Sequence, residues 1–328
     1  MSAHSRTGRR GFLRIAAAAA AGALCPGLAR GATPSWRWVG SALGARASIT
    51  VHHRDRGESR RIVGACLAEI RRLESVFSLH RPDSALSRLN RDGVLDAPPP
   101  ELVTLLSESL AIGDRTRGAF DVTVQPLWRL YREHFAAAGH GADGPPEAAL
   151  AKARQAVDRG ALEVGPSRIR LLRPGMALTF NGIAQGYITD RVAALLRDAG
   201  LSSVLLDLGE IRALGARDGG APWRVGLPGQ AQDMPLEIAG SQAVATSAPA
   251  AFRFDAGGEH HHLFDPATGR SASHHASVTV RAPTATRADA LSTAFCLLPE
   301  EAIRSVVARE EDTRVRLLGV DGRTRWIG

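Results

Sequence analysis

Apolar residues recur along this chain with two periods, and the switches between them mark out its elements. From Trp36 to His53 the alternation of Ala47, Ile49 and Val51 has the two-residue period of a strand with one buried face. Over 59–76 the spacing changes to three and four, through Ile62, Cys66, Ile70 and Leu73, which predicts an amphipathic helix. Ser84 stands where it caps a short helix running through Leu89. Helical patterns follow at about 99–113, 125–135 and 147–157, with a Gly- and Pro-rich loop from Ala138 to Pro146 between the last two. From Ala161 short strands alternate with turns, interrupted by one clear helix from Ala184 to Ala199. Its apolar face is Ile188, Val192, Leu195 and Leu196, and it stops at Gly200. Short strands are predicted at 203–208, 223–227, 242–246, 261–264 and 277–282. Strands and helices in runs, without strict alternation, predict an α+β fold.

Chemistry concentrates at the ends of these elements. His262 closes an apolar run that breaks at Asp265-Pro266-Ala267-Thr268-Gly269, a turn whose Asp and Thr side chains can bond neighbouring amides. About twenty residues later Asp289 and Thr293 sit four apart in the opening of a helix, so they share one face. A carboxylate and a hydroxyl one turn apart are hard oxygen donors, which Mg²⁺ accepts when a phosphate supplies further ligands. Asn181-Gly182-Ile183-Ala184-Gln185-Gly186-Tyr187 joins a strand to the clear helix, and the amides and dipole of that helix start suit a phosphate. Asp121, in Gly118-Ala119-Phe120-Asp121, can cap the next helix or present its carboxylate to a sugar hydroxyl. Asp207-Leu208-Gly209-Glu210 puts a carboxylate on each side of a glycine; alone, it reads as a tight strand connection with solvated charges. Thr246 and Ser247 end a strand in hydroxyls that can touch a phosphate or cap a turn. His260, His261 and His262 do not form a ready metal site, because consecutive side chains on a strand point to opposite faces.

Charge and composition change the picture chiefly at the N-terminus. Gly8-Arg9-Arg10-Gly11-Phe12-Leu13-Arg14 is a twin-arginine pattern, followed by the alanine-rich apolar run Ile15 to Leu24 and small residues at Ala29 and Gly31. Residues 1–31 therefore read as a twin-arginine signal peptide with cleavage before Ala32, leaving 32–328 as the mature chain in the periplasm. That segment carries five arginines and no acid, so its removal lowers the formal charge from +8 to +3. No basic block with interleaved aromatics is present, which argues against nucleic-acid binding, and no further apolar stretch is long enough for a permanent membrane span. Cys66 and Cys296 sit in no metal-ligand pattern and read as two buried thiols, although a disulfide between them is permitted in the periplasm.

Taken in order, these segments resemble the ApbE family, the FAD:protein FMN transferases, from about Leu43 to Leu298. The resemblance is carried by Phe77-Ser78 with Ser84-Ala85-Leu86-Ser87-Arg88-Leu89-Asn90, by Gly118 to Asp121, by Ala184-Gln185-Gly186-Tyr187, by His262 to Gly269, and by Ala288 to Ala294. It implies a two-lobed α+β fold with mixed or antiparallel sheets flanked by helices. It also implies an exported enzyme that uses FAD as substrate and Mg²⁺ as cofactor. Such an enzyme cleaves the pyrophosphate and attaches FMN to a Thr or Ser hydroxyl of an acceptor, here a flavoprotein subunit of a membrane redox complex. Carried onto this chain, Asp289, Thr293 and the main-chain carbonyl of Gly182 would hold Mg²⁺. Ala119, Phe120, Asp121, Thr179 and Gln185 would line the FAD site, and His262 would be the base for the acceptor hydroxyl or a donor to the phosphate. The chain departs from the family pattern at several of these points: Gln185 stands where lysine is usual, and Thr179 where an acid is frequent. Gly209-Glu210, Ser247-Ala248, His80 and Leu43 are further departures. Two other readings stay open, a non-catalytic FAD carrier and a pyrophosphatase that releases free FMN and AMP.

Overall fold

The computed structural model describes residues 35–42, 45–53, 55–137, 143–227 and 236–328. The signal segment 1–31, the departure at Leu43 and part of the loop after Ala138 lie outside the described residues.

The alternating stretch from Trp36 to His53 is two strands, β1 (Ser35–Ala42) and β2 (Ala45–His52), paired antiparallel with Trp38 opposite Ile49. One strand of that length would far exceed the usual ~5–6 residues, and the segment folds back on itself. Helix α1 (Arg56–Phe77) starts where Asp55 accepts the amides of Gly57 and Glu58. Helix α2 (Ala85–Asp92) is capped by Ser84, as expected, and ends at Gly93 in the left-handed conformation. After β3 (Val94–Asp96) come α3 (Pro100–Arg115), α4 (Gln125–Ala136) and α5 (Glu147–Gln155), near their predicted positions. Strands β4 (Leu162–Val164) and β5 (Arg168–Leu171) join β3 in a small antiparallel sheet of order β3-β5-β4.

The second half builds the main sheet. It runs through α6 (Ala184–Asp198), β6 (Val204–Asp207), β7 (Ile211–Leu214), β8 (Trp223–Val225), β9 (Leu236–Ile238), β10 (Ala243–Ser247) and β11 (Ser277–Ala282). Helices α7 (Ala285–Cys296) and α8 (Glu300–Val307) precede β12 (Arg314–Leu318) and β13 (Thr324–Ile327). The strand order is β1-β2-β6-β7-β10-β11-β12-β13, every neighbouring pair antiparallel, while β8 and β9 form a separate hairpin. The architecture is α+β, as the pattern of elements predicts.

The core lies between this sheet and its helices. Val278, Val280 and Ala282 on β11, with Val315 and Leu317 on β12, alternate into it. Helix α7 packs against α6, β10 and β11, and its Ala285, Ala288, Ala290, Ala294, Phe295 and Cys296 are all buried. A helix enclosed on all sides has no apolar stripe, which is why periodicity alone does not define it. A second apolar cluster forms where α4 and α5 meet the segment after β10, around Leu127, Tyr131, Leu150 and Phe264. Cys66 and Cys296 are free, buried thiols, and burial pushes their pKa values up to about 11 and about 12.

One predicted strand is absent. Residues 261–264 make only isolated antiparallel bridges, Arg253 with His261 and Phe264 with Ser271. Leu263 is buried in the main core and Phe264 on the aromatic cluster, and Pro266 just beyond has no N–H to extend a ladder.

Candidate active site

The turn that leads into α6 is clamped from two sides. Asn90, at the end of the serine motif, uses its whole amide group on one residue: Nδ2 donates to the Leu178 carbonyl at 2.8 Å, and Oδ1 accepts the Leu178 N–H at 2.6 Å. One residue on, the Thr179 N–H donates to the Val122 carbonyl at 2.8 Å. That bond joins Thr179 to the Ala119–Phe120–Asp121 turn, so the residues expected to line the FAD site belong to one backbone assembly. Phe120 contributes main chain there, because its ring is buried in the core. Asp121 does not cap α4, which begins at Gln125. Its Oδ1 instead accepts the Thr123 N–H at 2.7 Å and the Thr123 hydroxyl at 2.6 Å, a local Asx turn. Burial raises the Asp121 pKa.

Four residues after Leu178, the chain passes against α7. A Cβ placed on Gly182 would lie 2.9 Å from Thr293 Oγ1, so glycine permits this approach. The N–H of Gly186, in the first turn of α6, donates to Asp289 Oδ2 at 3.0 Å. Gly182, Asp289 and Thr293, assigned together through the family resemblance, thus meet where the start of α6 runs along α7, Gly182 beside Thr293 in the last turn of α7 and Gly186 beside Asp289. Ser247, at the end of β10, completes the group: its Oγ lies 2.7 Å from Ser292 Oγ and 3.3 Å from Thr293 Oγ1. Thr246 turns instead to the sheet, 2.9 Å from Thr279 Oγ1.

Two buried carboxylates set the electrostatics here. Asp289 is 5% exposed, and burial pushes its pKa up to about 7, against the lowering effect of the Gly186 amide and with a further rise from the charge of Asp190. Glu210 is 7% exposed, and among the described residues its carboxylate has no hydrogen-bond or ion-pair partner. Burial first, then the charges of Asp289 and Asp207, raises its pKa well above the usual range. The reading of residues 207–210 as a turn with solvated charges is corrected for Glu210. Beside it, Gln185 Nε2 donates to the Leu208 carbonyl at 3.0 Å and lies over Gly209. A sequence signal was present in the apolar neighbours Leu208 and Ile211.

The oxygen set suits a hard divalent cation. Among the described residues no group of three or more His, Cys, Asp or Glu side chains is arranged to hold a metal. Asp289, the Thr293 hydroxyl and the Gly182 carbonyl are a sparse, all-oxygen set, of the kind Mg²⁺ takes when phosphates and waters fill its other positions. Burial raises the pKa of both Asp289 and Glu210, so each anion needs a proton or a cation.

His262 lies in the segment after β10. Its Nδ1 lies 3.1 Å from the Phe252 carbonyl, which also accepts the His262 N–H at 3.3 Å. Burial lowers the pKa of the ring. No hydrogen bond among the described residues links it to the Gly182–Asp289–Thr293 group; the two are joined along the chain through the segment from Ser247 to Phe252. The neighbouring imidazoles go elsewhere. His260 packs against Tyr131 and Phe135, and His261 is buried, with its backbone bound to Ser271 and its pKa lowered to about 4 by burial.

The profile of the ApbE family matches residues 43–317. The chain belongs to the ApbE family. An FAD:protein FMN transferase of Escherichia coli (strain K12) is 28% identical over 257 residues, 72% of this chain and 71% of its own length. One from Treponema pallidum is 32% identical over 251 residues, 70% of this chain and 68% of its own. The apo crystal structure of the Pseudomonas stutzeri flavinyl transferase ApbE superposes with a TM-score of 0.76 at 26% identity, covering 92% of this chain and 97% of that one.

The departures from the ApbE pattern fall at identifiable contacts. Gln185 replaces a lysine, and its amide is engaged by the β6–β7 turn. Thr179 uses its hydroxyl locally, accepting the Asn181 N–H at 3.2 Å. The usual second glycine before the acid is Leu208, whose side chain is buried in the core. His80 has its backbone N–H on Ser78 Oγ at 3.1 Å, in the turn before α2.

Proposed function

We propose that this chain is an FAD:protein FMN transferase. It binds FAD, breaks the pyrophosphate and joins FMN through its phosphate to a Thr or Ser hydroxyl of another protein, releasing AMP. The observation that carries this reading is the meeting of Gly182, Asp289 and Thr293 where the start of α6 runs along α7, together with a buried imidazole, His262, in the segment after β10. The names of the relatives and the family membership support it.

The residues divide the work as follows. The start of α6 offers the positive end of its helix dipole to phosphate oxygens, although the amides of Asn181, Ile183, Ala184 and Gly186 are already bonded within the protein. Asp289, the Thr293 hydroxyl and the Gly182 carbonyl would hold Mg²⁺, which when bound supplies charge neutralisation for the pyrophosphate. The backbone of Ala119–Asp121, with Thr179 and Gln185, borders the rest of FAD. His262 is the base: a threonine hydroxyl is a weak nucleophile at neutral pH, and its proton passes to Nε2 as the oxygen bonds to the FMN phosphorus. The bond from that phosphorus to the bridging oxygen breaks, and AMP leaves with the electron pair.

The twin-arginine segment supports a periplasmic acceptor, a flavoprotein subunit of a membrane redox complex. Among the described residues no helix is long and apolar enough to cross a membrane. The test is product identity. With FAD and Mg²⁺ the mature chain should leave flavin on an acceptor after denaturation. Free FMN with AMP would indicate the pyrophosphatase, and intact FAD would indicate a carrier.

A further inference from the structure

Asp190 lies on α6, four residues beyond Gly186, and its carboxylate is turned toward α7. Oδ1 accepts the Ala285 N–H at 2.9 Å; Oδ2 accepts the Thr286 N–H at 2.8 Å and the Thr286 hydroxyl at 2.7 Å. In the opposite direction, Asp289 on α7 accepts the Gly186 N–H of α6 at 3.0 Å. Each helix therefore provides the acceptor for otherwise unpaired first-turn amides of the other. The helices are also in close contact, since a Cβ on Gly186 would lie 2.3 Å from the Ala285 carbonyl oxygen. Arg212 on β7 backs the arrangement: its Nε lies 3.6 Å from Asp190 Oδ1, and its guanidinium donates to the Pro283 carbonyl just before α7.

We propose that Asp190 is a positioning residue for the reaction, fixing the rotation and advance of α7 against α6 so that Asp289 and Thr293 present their oxygens together with the Gly182 carbonyl. The inference rests on the proposed Mg²⁺ role of those three residues. A helix that slips by one residue turns by about 100° and moves by about 1.5 Å. Mg²⁺ demands near-octahedral oxygens at about 2.0–2.1 Å, so a far smaller slip disperses its ligands. The Thr284 hydroxyl caps the Arg287 amide but does not reach α6, so it does not set this relationship.

The test uses the full mature protein with Mg²⁺ alone. Mg²⁺ binding is measured by calorimetry, FAD binding by fluorescence in EDTA, and folding by thermal unfolding, for wild type, Asp190→Asn and Thr286→Val. Asparagine keeps one acceptor but sets an NH₂ against a donor of α7; valine removes one hydroxyl and leaves every charge in place. Both variants should weaken Mg²⁺ binding, Asp190→Asn by about 10–100-fold, the range for residues that orient metal ligands. FAD affinity in EDTA should stay within about twofold of wild type. Wild-type Mg²⁺ affinity in folded Asp190→Asn overturns the inference. So does weakening in Asp190→Asn with none in Thr286→Val, which would mean the carboxylate acts by charge alone. If Asp190→Asn does not fold, Thr286→Val decides by the same criterion. A wild-type chain that takes up no Mg²⁺ contradicts the parent reading, and this one with it.

Discussion

The Nδ1 of His262 and the main-chain oxygen of Phe252 are 3.1 Å apart, and that oxygen can only accept. Nδ1 therefore carries the proton, and in the neutral ring Nε2 holds the lone pair. Burial keeps the ring neutral by lowering its pKa, so the base is available without prior deprotonation at neutral pH. His262→Ala should lower the rate of FMN transfer by about 10²–10⁴-fold while leaving Mg²⁺ affinity unchanged. Steady-state transfer and Mg²⁺ calorimetry on the same variant check both halves. A rate within a few-fold of wild type would remove His262 from the chemistry.

Asp289 makes stability and metal binding depend on pH in opposite directions. Its pKa is about 7 in the folded chain, against an ordinary aspartate value of 3.8. Between these values the folded state binds the extra proton, so the cost of ionising this carboxylate grows as pH rises and is complete above about 7. Without Mg²⁺, Asp289→Asn should therefore be more stable than wild type at pH 8, by roughly 1–4 kcal/mol, with the gap closing toward pH 4. Wild-type Mg²⁺ affinity should fall as pH drops through 7, because proton and metal compete for one carboxylate. Denaturant unfolding at several pH values, with and without Mg²⁺, reads both effects; equal stability of the two proteins at pH 8 would contradict the assignment.

Gly209 is required twice over. Its φ is +104°, and a Cβ there would lie 1.7 Å from Gln185 Nε2. Gly209→Ala should destabilise the chain by roughly 1–3 kcal/mol from backbone strain, with the Gln185 clash in addition. Shortening Gln185 to alanine in the same chain should recover only the clash. Full recovery in the double variant, measured by denaturant unfolding, would show that the backbone conformation carries no cost.

Gly182→Ala isolates the contact between the α6 turn and α7. The added methyl would meet Thr293 Oγ1 at 2.9 Å, so the hydroxyl or the turn must move. The variant should fold, bind FAD in EDTA as wild type does, and bind Mg²⁺ at least several-fold more weakly. Calorimetry with unchanged Mg²⁺ affinity would separate Gly182 from the metal.

Much of this was legible in the sequence because spacing alone constrains it. Asp289 and Thr293 share a helix face whatever surrounds them, and Ser84 had only one helix to cap. Gly182 could be paired with Thr293 only through the resemblance, since nothing local records that the start of α6 runs along α7. Glu210 was misread for a like reason: its burial is set by the packed surroundings of the β6–β7 turn, which the local sequence does not record. The strand expected at 261–264 failed because a short apolar run looks alike whether it enters a ladder or packs under aromatic rings. Helix α7 beyond its opening turn gave little periodic signal, being buried on every side.

The central claim is covalent transfer, and one assay addresses it directly. The mature chain is incubated with FAD, Mg²⁺ and a periplasmic flavoprotein domain bearing an acceptor threonine; the mixture is denatured, and the acceptor band is examined for flavin fluorescence. The account predicts a fluorescent band that is lost with EDTA, with Asp289→Asn and with the acceptor threonine changed to valine. FAD converted to free FMN and AMP beside a dark acceptor band, or FAD recovered intact, would contradict it.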